Sequence, residues 1–405
     1  MEIRPLTADD LPAVVRTAES AFHGDVAPWQ LDVQRPVFEP ARSLAAFDGP
    51  EMVATAGIYT RELTVPGAVV PVAGVTEVGV RPSHRRQGLL TALMRRQIDD
   101  VRAGGEAIAA LWASETGIYG RFGYGLAARH ATLKLRTAGM RVRPDVAVAD
   151  GRVLLLEPEA AIPRIAPLFD RLRRQRPGHL DRHGPWWPRR VVDPESERGG
   201  ASALRVAVHE RPDGAVDGYA LYAVKPDWSD GPEAEVRVRE VVAGGGPATA
   251  AMWSLLVGLD LTRSVTVHIA APDEPLDLLL AGPSRVRVTT APNVWVRLVD
   301  LPRALTARAY AAPLDVVLDV DDAFCPWNAG RHRLEAGADG ARCERTDAPA
   351  DLALSAADLG AAYLGGTSLA ALHALGRVAE RTPGALARAT TAFRGAREPW
   401  CPEIF

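Results

Sequence analysis

Apolar and polar positions alternate along the first 140 residues in an order of strands and helices. MEIRPL predicts a strand, and Thr7 is placed to cap a helix over LPAVVRTAESAF. SLAAFDG and EMVATAGIYTRELTV predict a strand and a hairpin arm. The valine-rich run AVVPVAGVTEVGV, with turn residues on both sides, predicts a central strand ending at Val80. A helical period then groups Leu89, Leu90, Leu93, Met94, Ile98 and Val101 on one helix from Leu89 to about Arg102. EAIAALWAS (106–114) is apolar throughout and reads as a buried strand. ETGIYGRFGYG predicts a short helical turn and a glycine-rich loop, and ARHATLKL (128–135) a strand that closes the unit.

The stretch RVRPDVAVADG breaks the pattern, and the next 140 residues repeat part of it. EPEAAIPRIAPLFDRLRRQRPG reads as helical, DGYALYAVK (217–225) and AEVRVREVVA (234–243) as alternating strands, ATAAMWSLLVGLDL as a helix and SVTVHIAA (264–271) as a strand. Strand, strand, loop, helix, strand is also the order over residues 52–114, so the chain is expected to carry a duplicated fold. From about residue 291 the pattern changes. VWVRLVDL, PLDVVLDVDD, HRLEAG and ARCERT read as strands of an α+β unit, and ADLGAAYLGG, LAALHALGRVAE and GALARATTAF as helices. The expected parts are 1–142, 143–290 and 291–405.

Composition narrows the classes. A chain of 405 residues is long for one core and fits two or three domains. A net charge of −3 argues against broad binding to nucleic acid or anionic membrane. Cys325, Cys343 and Cys401 are too few and too scattered for a disulfide framework or a cysteine zinc site, so no metal is expected. MEIRPLTADD lacks the basic and apolar regions of a signal peptide, and no apolar run is long enough to span a bilayer, so a cytoplasmic location is expected.

One stretch stands against this background. RPSHRRQGLLTALMRRQ loads Arg81, Arg85 and Arg86 onto the start of a helix, where the macrodipole already repels cations. With an anion present the arginines become counter-charges. The free amides of the first helical turn and Gly88, which lets phosphate oxygens approach the backbone, complete a pyrophosphate receptor. The plainer reading is a solvated basic turn. The second repeat has VVAGGGPATAAM (241–252) at the equivalent place. It keeps glycines, has no arginine, and loses one amide to Pro247, so one coenzyme per chain is expected.

VGVRPSHRRQGL resembles the acetyl-CoA motif of the GCN5-related N-acetyltransferases (GNATs). TAGIYTRELTVPG, HRRQGLLTALM, ASETGIYGRFGYG, DGYALY and the terminal EIF together resemble the enhanced intracellular survival (Eis) branch of that superfamily, over nearly the full chain. The resemblance implies two tandem acetyltransferase folds, the second degenerate, followed by a domain like a sterol carrier protein. It implies hexamers, and transfer of acetyl from acetyl-CoA to amines, notably of aminoglycosides. For the coenzyme it points to Val78, Gly79 and Val80 on the strand, to the loop Arg85, Arg86, Gln87, Gly88, Leu89, Leu90 and Thr91, and to Ser114 and Glu115. Leu90 departs from the small residue common in the family, and Trp112 stands where the best-known member has histidine.

Acetyl transfer from a thioester needs a deprotonated amine, a stabilised oxyanion and a protonated leaving thiolate. Tyr119, Phe122 and Tyr124 are equal candidates for core packing; the resemblance singles out Tyr119 as the general acid. The nine histidines form no cluster, with His84 beside the phosphate loop and His23 placed to line a cleft. The resemblance makes the C-terminal carboxylate of Phe405 the base, with the aromatic ring anchoring a terminus that would otherwise fray. Acceptors of this branch are polycations, so Asp25 and Trp29 after the first helix and Glu403 beside the terminus are candidate acceptor contacts. Two other functions fit the same loop: an acetyltransferase for protein lysines or N-termini, and a non-catalytic lipid- or ligand-binding protein.

Overall fold

A computed structural model describes residues 1–229, 231–282 and 286–405. In chain order it begins with β1 (Glu2–Pro5), α1 (Leu11–Phe22), α2 (Pro28–Gln34), β2 (Leu44–Asp48), β3 (Glu51–Val65), β4 (Ala68–Val80), α3 (Leu89–Gly104) and β5 (Ile108–Trp112). There follow β6 (Gly125–Leu126), β7 (Arg129–Arg136), β8 (Arg141–Val142), β9 (Arg152–Leu156), α4 (Pro158–Arg173), α5 (Trp186–Val191), β10 (Arg205–Glu210), β11 (Val216–Lys225) and β12 (Ala234–Ala243). Next are α6 (Gly246–Val257), β13 (Thr262–Ala270), α7 (Leu276–Leu279), β14 (Leu280–Ala281) and β15 (Val286–Pro292). The last part holds β16 (Val294–Leu298), α8 (Leu301–Thr306), β17 (Leu314–Asp321), β18 (Gly330–Gly337), β19 (Gly340–Arg345), β20 (Leu352–Ser355), α9 (Ala356–Ala362), α10 (Leu369–Ala374), β21 (Val378–Glu380) and α11 (Ala385–Phe393).

The chain divides into two compact units. One comprises Met1–Arg129, Arg176–Asp181 and Pro292–Phe405; the other comprises His130–Gln175 and Arg182–Ala291. The first unit holds a seven-stranded sheet in the order β1-β2-β3-β4-β5-β16-β6 and a five-stranded sheet in the order β19-β18-β17-β20-β21. The second holds a seven-stranded sheet which, read from its far edge, runs β9-β10-β11-β12-β13-β7-β15. Strand for strand the two large sheets have one topology, including a parallel pair at the same place, β4 with β5 and β12 with β13. The duplication expected from the repeated pattern is therefore present.

Two strands correct the expected parts. ARHATLKL does not close the first sheet: β7 lies in the second, against β13. VWVRLVDL does not begin the C-terminal sheet: β16 lies in the first, between β5 and β6. The folds have exchanged their sixth-position strands, so a cut at 142/143 or 290/291 separates each strand from its sheet. Alternating apolar patterning announces a strand but not its sheet. A smaller correction falls in LAALHALGRVAE, where the helix stops at Ala374 and Val378–Glu380 is a strand.

The feature that positions the site is the parting of β4 and β5. They pair over Ala73–Val75 and Ala109–Leu111 only. Beyond Val75, β4 carries a bulge against β3, where Thr55 opposes Gly79 while Gly57 opposes Thr76. Glu77 in this bulge adopts φ +51°, uncommon for a residue with a side chain. A bulge bends its strand and adds twist, and here it coincides with the gap between the two strands. Ala73 and Val75 face α3 and the Tyr119 turn in one core with Met94, Ile98 and Leu111. No helix among the described residues is long and apolar enough to cross a membrane.

Candidate active site

The gap opens into a cleft of about 640 Å³. Its wall includes Val78, Gly79 and Val80 of β4, then Arg85, Arg86, Gly88, Leu89, Leu90 and Thr91 of the loop and first turn of α3, and Ser114, Glu115 and Tyr119 after β5. Of the residues expected at the coenzyme, Gln87 alone does not line it.

The loop conformation follows from its sequence. Gly88 caps α3 at φ +83°, the left-handed region in which glycine carries no Cβ penalty, and a Cβ there would meet nothing within 4 Å. The first intrahelical bond runs from the Ala92 amide to the Gly88 carbonyl at 3.0 Å. The amides of Leu89, Leu90 and Thr91 precede it and belong to the first turn, which has no intrahelical acceptor for them. Arg86 sits at φ +62° and is exposed. Arg85 donates to the Ala21 carbonyl at 2.8 Å and so ties the loop to the end of α1. Arg81 turns away, pairing with Glu51. The arginines thus divide: two on the cleft wall, one beside it.

These features fit a diphosphate group. The amides and the α3 dipole receive negative charge, Arg85 and Arg86 supply counter-charge, and the space at Gly88 admits oxygens to the backbone. When bound, an acyl-CoA would supply the thioester; the chain supplies the cradle.

Tyr119 begins a 3₁₀ turn (Tyr119–Phe122) that ends in Gly123 at φ +80°. Its ring packs edge-on to Tyr124 at 6.0 Å. Burial, and after it the carboxylate of Glu115, push its phenol up to about 12, so it stays protonated far into the alkaline range. Tyr124, fully buried, is shifted further up by the same desolvation and does not line the cleft.

The C-terminal tail enters the first unit and is held at each step. The Trp400 amide donates to the Pro177 carbonyl at 2.9 Å. Asn293 clamps Cys401 through both its amide and its carbonyl, each at 3.0 Å. Glu403 meets the buried guanidinium of Arg61 on β3 at 3.3 Å, and Arg61 also holds Asp181 at 2.9 Å. Phe405 is buried, and its ring lies 3.5 Å from where a Cβ on Gly74 of β4 would stand. Gly74 faces opposite to Ala73 and Val75, because side chains alternate along a strand. The terminal ring and Tyr119 therefore lie on opposite faces of the paired stretch of β4, just before it parts from β5, and Phe405 does not itself line the cleft.

Glu403 needs a correction. Its carboxylate is buried and committed to Arg61, so it anchors the tail and is not a free acid for an acceptor. Asp25 is exposed in the α1–α2 connection and Trp29 half-buried in α2; neither lines the cleft. His84 and His23 do line it, His84 with a 3.3 Å contact to Asp48. Sequence reasoning missed Ala21, Phe22, Ile118 and Arg121 on the same wall. Ala21 and Phe22 end α1, and only tertiary packing of α1 on β4 brings them there. Ile118 and Arg121 flank Tyr119, and the short turn predicted around them was a usable signal.

Two folds of one topology, the first with a parted parallel pair and a helix N-terminus facing the gap, together with a third α+β sheet define an acyltransferase of the GNAT class. Residues 2–127 and 178–298 match models of the acetyltransferase (GNAT) domain, and residues 301–402 a sterol carrier protein domain. The chain is 33% identical to the N-acetyltransferase Eis of Mycobacterium tuberculosis, covering 96% of this chain and 95% of that one. It is 44% identical to an uncharacterized N-acetyltransferase of Streptomyces avermitilis, covering 100% and 99%. The crystal structure of Eis1 from Mycobacterium abscessus superposes with a TM-score of 0.86 at 32% identity, over 100% of both chains. The chain belongs to the Eis family of N-acetyltransferases, and it is an acyltransferase enzyme.

Proposed function

We propose that this enzyme transfers acetyl from acetyl-CoA to an amine of an aminoglycoside or a similar polyamine by direct attack. The observation that carries the reading is the single cleft that joins the α3 phosphate cradle, the parted β4 edge and Tyr119. In this reading the β4 backbone at Val78–Val80 aligns the pantetheine arm and places the thioester at the gap. The amine approaches from the Phe405 face and loses its proton to the terminal carboxylate, directly or through water. The nitrogen bonds to the carbonyl carbon, the C–S bond breaks, and the departing thiolate takes a proton from Tyr119. Tyr119 carries its proton at neutral pH; its raised phenol makes transfer to a thiolate near the ordinary thiol range uphill, so the step depends on holding phenol and sulfur close together in the cleft. Binding both reactants in one cleft removes much of the entropic barrier.

The test is thiol release from acetyl-CoA with a multi-amine aminoglycoside, for the wild type and for a protein extended by a few residues after Phe405. Activity lost on extension, with coenzyme binding kept, supports the terminal carboxylate as base. Equal activity sinks that assignment. No activity in either, despite coenzyme binding, moves the acceptor to a protein or peptide amine. A homo-hexamer belongs to the same proposal and is checked by light scattering.

A further inference from the structure

The cleft has two walls that must keep a fixed separation: the first turn of α3 and the Tyr119 turn. One loop that follows β17, residues 322–328 in the C-terminal part of the chain, touches the elements carrying both. On the α3 side, Arg95 donates to the Phe324 carbonyl and stacks over the Phe324 ring at 3.8 Å, and Arg102 lies over the Trp327 ring at 4.3 Å. On the other side, Phe324 packs edge-on to Phe122 at 5.1 Å, in the same core as Tyr119 and Tyr124.

Between them lies a buried ion pair. Arg297 of β16 donates to both oxygens of Asp322, at 2.8 and 2.6 Å, and both side chains are inaccessible to solvent. The guanidinium also reaches the Gly123 carbonyl at 3.4 Å, at the end of the Tyr119 turn. It lies so close that a Cβ at Gly123 would stand 2.0 Å from its Nη1. Asp322 further accepts from the Cys325 amide at 2.9 Å and from Asn328 at 3.2 Å, which stiffens the loop around the pair. A buried pair of this kind contributes little net stability compared with apolar residues of similar volume, so geometry is its better-founded use. The pair joins the end of the Tyr119 turn to the loop that braces α3.

We propose that Asp322, acting through Arg297, is a positioning residue for Tyr119: the 322–328 loop fixes the Tyr119 turn relative to the first turn of α3. The C-terminal part of the chain thereby sets the geometry of a reaction whose proposed acid lies in the N-terminal fold. This rests on the reading of Tyr119 as the acid. Two neighbouring groups also bear charge on the site: Glu115 faces Tyr119, and Arg95 faces the loop.

The experiment compares Asp322→Asn, Asp322→Glu and Phe324→Leu, each alone and in a Tyr119→Phe background, by steady-state kinetics, with thermal melting to certify folding. Misplacing a general acid removes part of its contribution, so kcat is expected to fall about 10-fold or more in Asp322→Asn. The KM for acetyl-CoA stays within about twofold, because the phosphate cradle is untouched. Asp322→Glu recovers part of the loss. In the Tyr119→Phe background Asp322→Asn costs nothing further, since the group it positions is gone. Losses that multiply in the double variant overturn the positioning role and leave the acid role standing. Full activity of Tyr119→Phe overturns both. If Asp322→Asn does not fold, Phe324→Leu, which leaves the ion pair intact, carries the same comparison, and unchanged kcat in that folded variant overturns the proposal.

Discussion

Arg61 and Glu403 stand 342 positions apart in sequence and 3.3 Å apart in the fold. The guanidinium is wholly buried, so it binds the tail in a low-dielectric setting where a lost partner is costly. Arg61→Met removes the buried cation that Asp181 and Glu403 share, and a melting experiment is expected to show a loss of about 3–5 kcal/mol. Glu403→Gln keeps a hydrogen-bond acceptor and should cost only about 1–3 kcal/mol. Its sharper signature is local: carboxypeptidase should trim this variant faster than wild type. Unchanged trimming would mean that Trp400, Cys401 and Phe405 hold the tail without the ion pair.

The contact between Gly74 and Phe405 gives a separate handle on the tail. Valine at position 74 would press on the Phe405 ring and on the Tyr59 carbonyl, 3.3 Å from the Cβ position. The phosphate cradle lies further along β4 and on α3. Gly74→Val is therefore expected to lower kcat while leaving acetyl-CoA affinity, measured by calorimetry, within about twofold of wild type. Equal losses in both would place Gly74 in coenzyme binding.

Much of this was legible in the chain, for identifiable reasons. β4 ends at Val80 and α3 starts at Leu89 as expected, because a valine run and a helical period are strong local signals that glycine and proline punctuate cleanly. The glycine-capped start of α3, with Arg85 and Arg86 on the cleft wall, is likewise local, so residue types and spacing carry it. The exchange of β7 and β16 was not legible, since pairing partners are a tertiary property. Nor was the Arg297–Asp322 pair, whose members lie on different elements and mean nothing separately. Glu403 shows the opposite failure. An acid near the terminus looked free for an acceptor until the fold placed Arg61 against it.

Tyr119 makes a pH prediction with a definite sign. Burial raises its folded-state phenol from the usual 10.0 to about 12, so the folded protein keeps a proton that the unfolded chain gives up. Its contribution to stability is then fully present below pH 10 and is lost as pH rises from 10 to about 12. Under the proposed acid role, Tyr119 keeps its catalytic proton over the same window. The kcat profile should show no decline from Tyr119 up to pH 10 and turn down only above it. Tyr119→Phe should remove that downturn along with most of the rate. A downturn centred at 10 would mean an unperturbed phenol that meets water freely.

The two helix N-termini predict the stoichiometry of the donor. At α3, the amides of Leu89, Leu90 and Thr91 are joined by Arg85 and Arg86 on one cleft. At α6 the first intrahelical bond runs from the Thr249 amide to the Gly245 carbonyl at 2.9 Å, Pro247 among the three residues before it has no amide to give, and the loop VVAGGGPATAAM carries no arginine. Arg171 of α4 reaches 3.8 Å from a Cβ position at Gly244, but its side chain is exposed and comes from a neighbouring helix, not from the loop. Titration calorimetry with acetyl-CoA should therefore give one equivalent per chain. Arg86→Ala removes a charge-assisted contact and should weaken that binding by about 1.5–3 kcal/mol, roughly tenfold or more, with the stoichiometry unchanged. Arg171→Ala should change neither. Two equivalents, or a site that survives Arg86→Ala and disappears with Arg171→Ala, would assign the coenzyme to the second fold.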